Sequence, residues 1–155
     1  MKPYLIDFFN YNDWAFRKLL APVKELPEPD EAVKLFSHLI TSHYKWYNRV
    51  TNETDDKSLN WFGPVFQFDQ LESAWGECLN KWITFLNRIP ESDLDNEIVF
   101  KRPSDGKGMV VLVRDIILQL NYHSIHHRAQ ISRIIRQQGI TPPPTDYIFT
   151  VLKEL

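Results

Sequence analysis

Four stretches of about 20 residues each repeat their apolar side chains every three or four positions, and a helix-breaking segment closes each one. That period, sustained four times, confines the chain to packed helices. The first stretch runs from about Tyr4 to Lys24, with Phe8, Phe9, Phe16, Leu19, Leu20 and Val23 on the repeat, and Pro27 and Pro29 end it. The second, about Glu31 to Thr51, takes Asp30 as its cap and aligns Ala32, Leu35, Leu39, Trp46 and Val50. The polar TNETDDKSLN segment stops it, and Gly63-Pro64 punctuates the link onward. The third, about Asp69 to Arg88, takes Asp69 as N-cap and turns Leu71, Trp75, Leu79, Trp82, Phe85 and Leu86 inward before Pro90. The fourth reaches about Gln138, where Gly139 supplies a helix stop.

Between the third and fourth stretches, EIVFK (Glu97 to Lys101) and GMVVL (Gly108 to Leu112) are short, β-branched and joined by a Gly-containing segment. They read as a small hairpin, although Val111 to Val113 can equally open the fourth helix. After Gly139, ITPPPTDYIFTVLKEL reads as a proline-stiffened loop and a short apolar helix capped by Thr145 or Asp146. The expected fold class is all-α: an antiparallel four-helix bundle with a small hairpin before the fourth helix and a short C-terminal helix. With 155 residues the chain has the size of one domain, spanning positions 1–155. Such a chain buries roughly 70% of its unfolded surface and needs no disulfide to fold.

Charge and composition exclude several classes. Eighteen Lys and Arg against 20 Asp and Glu leave a net charge of −2, which argues against nucleic acid as a partner. No window approaches the ~18 uninterrupted apolar residues of a membrane span. The opening MKPYLIDFFNYNDW carries Asp7 and Asn10 and lacks the pattern of a secretory signal. A lone Cys78 cannot form an internal disulfide, so a reducing, cytoplasmic setting is expected.

Bundle interiors are where metal and ligand sites are built from facing side chains, and the histidines point there. Ile116, Leu120, His123, His127, Ile131 and Ile134 advance in steps of 4, 3, 4, 4 and 3, forming one core-facing stripe of the fourth helix. His123 and His127 therefore project together, their Cβ atoms about 6 Å apart. His126 points sideways. Two imidazoles in an Ile/Leu stripe need partners for their ring nitrogens, since an unpaired buried polar group costs about 1–3 kcal/mol. A divalent metal would satisfy both, because the i, i+4 spacing presents two neutral donors to one ion. Bonds to a Tyr hydroxyl or a backbone carbonyl would do so as well, and spacing alone leaves the two readings level. The remaining histidines lie in LFSHLITSHYKWYNRV, where periodicity centres His43 on the buried face and puts His38 at its edge.

Four segments in order resemble the DinB-like family of small bacterial four-helix metalloproteins. YNDWAFRKLL resembles its first-helix signature, and SHLITSHYKW with Asn48-Arg49 its second. HSIHHRAQI is close to its fourth-helix motif HxxHHRGQ, and GITPPPTDYI resembles its closing segment. The likeness covers nearly the whole chain, with Ala129 standing where the family often has Gly. It implies a divalent metal, commonly zinc or nickel, held by His38, His123 and His127. The family register thus selects His38 where periodicity prefers His43, which becomes, with His126, an outer or surface candidate. Three protein nitrogens leave a coordination position open, as catalytic zinc sites do. Related families are bacillithiol- and mycothiol-dependent S-transferases, so a low-molecular-weight thiol and a small-molecule substrate are implied. The likeness also implies a homodimer. The leading expectation is a metal-dependent thiol S-transferase, or a hydrolase using the same open position. The competing one is a non-catalytic, metal-stabilised bundle that binds a small molecule or dimerises.

Other residues carry plainer readings. Cys78 has no basic neighbour in its turn and reads as a buried, inert thiol. Trp14, Trp46, Trp61, Trp75 and Trp82 read as core, with a pocket wall as the alternative for Trp46 and Trp61. Arg128 would anchor a carboxylate between helices or meet an anionic ligand. Asp55-Asp56 reads as a solvated loop. Glu72 and Glu77 are not one turn apart, which leaves no paired carboxylates of the di-iron kind.

Overall fold

The computed structural model describes residues 1–52, 60–102 and 104–154. The helices are α1 (Lys2–Lys24), α2 (Asp30–Thr51), α3 (Phe68–Arg88) and α4 (Val113–Gln137). A 3-10 turn (Glu91–Asp95) leads into the hairpin β1 (Glu97–Lys101) and β2 (Gly108–Leu112), paired antiparallel from Glu97↔Leu112 to Lys101↔Gly108. Both strands thus precede α4, and Val113 begins the helix. The Asp55-Asp56 pair lies outside the described residues.

Helix ends follow local chemistry, with two corrections. Asp69 is not the N-cap of α3: Gln67 is, and it forms a reciprocal capping box with Gln70. Asp69 sits in the first turn, where its charge complements the helix dipole. Similarly, Pro29 caps α2 and Asp30 is its first residue. At the end of α4, Gly139 has φ +86°, its N–H bonds to the Arg136 carbonyl, and the Ile140 N–H reaches back to that of Ile135. This is a Schellman closure, which needs a residue tolerant of positive φ. The expected C-terminal helix is only a 3-10 turn, Tyr147–Thr150. With Ile148, Phe149, Val151 and Leu152 exposed, no buried face is present to stabilise a longer helix.

In the bundle, α1 and α2 each pack against both α3 and α4. The α1 helix runs against α3, since Lys2 bonds to the Ile89 carbonyl at one end and Arg17 reaches Glu72 at the other. Helix α2 runs against α4, with Glu28 beside Gln138. By contrast α2 and α3 run the same way: Cys78 faces the Ile40 carbonyl and Trp82 donates to that of His43. Consecutive helices in one direction need a connection that travels back along the bundle, a distance of about 30 Å for 20 helical residues. Within it, Trp61 and Phe66 lie against α2, at His38 and Ser37 respectively.

Aromatic side chains fill the centre. Phe16 stacks on Trp75 at 4.3 Å between ring centroids and meets Phe36 edge-on at 4.5 Å, while Phe9 stacks on Trp82 at 5.7 Å. Each fully buried aromatic or aliphatic side chain contributes about 1.5–3 kcal/mol relative to exposure. Polar groups enter this core too. Asn12 on α1 donates to the Asn121 side chain at 3.0 Å and accepts from buried Arg128. Arg128 therefore anchors an amide rather than a carboxylate, with Tyr11 stacked 4.7 Å from its guanidinium carbon.

Candidate metal centre

His38, His123 and His127 meet between α2 and α4. Their nearest ring nitrogens all lie within 4.8 Å of one another, a grouping that can hold a metal ion. His38 Nε2 is 2.9 Å from His123 Nε2, and the His127 ring centroid lies 4.7 Å from that of His38 and 4.4 Å from that of His123. The i, i+4 stripe brings the two α4 rings together, and the antiparallel crossing of α2 brings the third.

Their other nitrogens are held from outside the cluster. His38 Nδ1 donates to the Trp61 carbonyl, which can only accept, so its Nε2 presents a lone pair. His127 Nδ1 donates to the Gln130 side-chain oxygen at 2.6 Å, which leaves its Nε2 bare as well. Gln130 in turn donates to His126 at 3.3 Å, so exposed His126 belongs to an outer hydrogen-bonded row. A carbonyl or amide oxygen on the far ring nitrogen is the usual way a protein orients a ligating imidazole.

Protonation favours ligation at neutral pH. Burial pushes the pKa of His123 down to about 3, and the facing His127 and His38 rings push the same way. His127 is lowered too, chiefly by burial, with its Gln130 bond opposing. Neutral imidazole is the ligating form. Two nitrogens on a tetrahedral zinc, with bonds of ~2.05 Å, sit ~3.3 Å apart, close to the 2.9 Å between His38 and His123. The donor set can therefore hold a metal ion.

His43 stands apart. It is wholly buried and packs on Trp75 at 5.0 Å and Phe9 at 6.3 Å, facing α1 and α3 rather than α4. Its Nδ1 donates to the Leu39 carbonyl at 2.9 Å, and its pKa falls to about 4, first through burial. Periodicity was right that His43 is the more enclosed of the two, and burial alone does not make a cluster.

The histidines open on a cleft of about 480 Å³. Trp46, Trp61, Phe62 and Leu120 supply its apolar wall, and Ser42 and Gln119 its polar groups. Trp46 and Trp61 are thus half-buried wall residues rather than core. Phe62, stacked 4.8 Å from the His38 ring, and Ser42 were not singled out by the sequence pattern. Arg49 spans Trp46, Trp61 and Phe100, within 5.1 Å of each ring centroid, and ties β1 to the cleft's rim.

A family model described as the DinB family matches residues 1–153. The chain belongs to the DinB family. Protein DinB of Bacillus subtilis (strain 168) is 23% identical over an alignment 163 positions long, covering 95% of this chain and 93% of that protein. No solved structure matches. Within this DinB-family chain, no helix among the described residues is long and apolar enough to cross a membrane.

Proposed function

We propose that His38, His123 and His127 hold one divalent ion, zinc or nickel, in a site that transfers a low-molecular-weight thiol to a small electrophilic substrate. The observation that carries this reading is the convergence of three imidazoles, two with their far nitrogens already committed, at the mouth of an open cleft. A divalent ion held there supplies Lewis acidity, which lowers the pKa of a thiol or a water and positions the nucleophile. The Trp61 carbonyl and Gln130 fix which nitrogen faces inward, and Trp46, Trp61 and Phe62 give the cleft apolar walls beside the histidines. The same open position would serve hydrolysis if water takes the place of the thiol. The exposed run of Ile148, Phe149, Val151 and Leu152 supports a homodimer, and light scattering showing only an 18.4 kDa species would remove that part.

Elemental analysis of the purified protein, with His38→Ala and His43→Ala variants, tests the reading. About one equivalent of zinc or nickel, lost with His38 and kept with His43, is expected. A screen of small thiols against electrophiles by the metal-loaded protein then reads turnover. Bound metal with no turnover would leave the non-catalytic bundle; no bound metal after adding excess would remove the site altogether.

A further inference from the structure

Ser42 lies one helical turn beyond His38 on α2 and lines the same cleft. It is 1% exposed, and its Oγ has no hydrogen-bond partner among the described residues. Other helical hydroxyls of this bundle behave differently. Ser37 Oγ donates to the Val33 carbonyl at 2.8 Å, Ser124 Oγ to that of Leu120 at 2.8 Å, and Thr51 Oγ1 to that of Tyr47 at 3.0 Å. Each returns to the carbonyl four residues earlier, the local option open to any helical Ser or Thr. For Ser42 that carbonyl belongs to His38, and the Thr41 hydroxyl takes it instead, at 3.1 Å. A buried hydroxyl without a partner is destabilising, so a donor or acceptor from outside the chain has a place to bind.

The walls narrow the ligand's class. Apart from the histidines, no titratable side chain among the described residues lines the cleft itself, while Arg49 and Lys45 lie over its tryptophan walls at the rim. Trp46, Trp61 and Phe62 offer flat apolar faces. We infer that the cleft receives a small, largely flat molecule whose single hydroxyl or amide group bonds to Ser42 Oγ while its other end lies against the histidine cluster. The Oγ is shielded from solvent, and rotation about χ1 carries a serine hydroxyl between staggered positions without moving the helix. The inference rests on the proposed metal site only for what the histidines do with the ligand's far end.

Two probe pairs test it, read by quenching of the cleft tryptophans. Zinc-loaded protein is titrated with thiophenol and 3-hydroxythiophenol, and metal-free protein with toluene and phenol. In the native protein the hydroxyl should tighten binding about three- to tenfold relative to the Ser42→Ala variant. Zinc content and thiophenol affinity should be unchanged in Ser42→Ala, and its Tm should hold or rise, because the deleted hydroxyl has no bond to lose. Ser42→Cys keeps the bulk with a weak donor and should lose the preference as well. A hydroxyl preference equal in native and variant protein, or absent from both, would overturn the assignment of Ser42. Failure of the native protein to retain zinc would overturn the metal reading instead, and the toluene and phenol pair would still decide on Ser42.

Discussion

His38 Nε2 lies 2.9 Å from His123 Nε2, although 85 residues separate them in the chain. Because His38 Nδ1 is committed to the Trp61 carbonyl, either a proton on His123 Nε2 or a bound cation must lie between the two nitrogens. Metal should therefore stabilise the native state and leave the unfolded chain alone. At zinc a hundredfold above its Kd the gain is about 2.7 kcal/mol, or roughly 5–10 °C in Tm for a domain of this size. Thermal melts of the metal-free protein with and without zinc check this. The shift should vanish in His38→Ala and His127→Ala and survive in His43→Ala.

His43 gives the metal-free protein an acid-sensitive core. Its native pKa of about 4 lies below the ordinary 6.5, so the unfolded chain binds the extra proton first as pH falls. The stability is fully present above pH 6.5 and is lost progressively down to about pH 4. Between pH 7 and pH 5 the loss from this group is about 2 kcal/mol. His123 and His127 are shifted the same way, so His43→Asn should shallow the acid limb without abolishing it. Urea midpoints at the two pH values measure the difference, and an unchanged slope in the variant would remove His43 from the account.

The helices, the hairpin and the pairing of His123 with His127 were legible because each depends on spacing within one segment. The choice between His38 and His43 was not, because both lie on the buried side of α2 and differ only in what they face. A carbonyl 23 residues away orients His38, while Phe9 and Trp75, from two other helices, enclose His43. The family register selects His38, and His38 is the histidine of α2 that lies beside His123 and His127. Ser42 escaped notice for a related reason: a serine mid-helix is ordinary until the carbonyl it would use is found taken. The Gln67 cap of α3 was missed because Asp69 carries the stronger intrinsic preference, and the reciprocal bond with Gln70 prevailed.

Asn12 joins α1 to α4 by serving two partners at once, donating to Asn121 and accepting from Arg128. Asn12→Ala leaves a buried acceptor and a buried cation short of a bond, which should cost about 2–4 kcal/mol. Arg128→Ala should cost less than the sum implies, because it also removes a charge that burial disfavours. A double-mutant cycle read by urea unfolding should give a coupling of about 1–3 kcal/mol. Strict additivity would mean the two side chains do not act together.

Cys78 should prove inert in the native state. It is fully buried on α3, with Sγ 4.0 Å from the Ile40 carbonyl. Burial pushes its pKa well above the ordinary value, and Lys81, a basic neighbour three residues on that corrects the expectation of none in this turn, only partly offsets this. Thiolate is the reactive form, so modification must wait for the helix pair to open. Labelling by an aromatic disulfide reagent at pH 8 should be slow in buffer and should accelerate with urea in step with unfolding. Cys78→Ala should cost roughly 1 kcal/mol through the small cavity it leaves. Zinc content should not change, because the thiol lies between α2 and α3 and the histidine cluster between α2 and α4. Rapid labelling of folded protein, or metal lost with Cys78, would instead place the thiol within reach of the site and add a sulfur to its donor set.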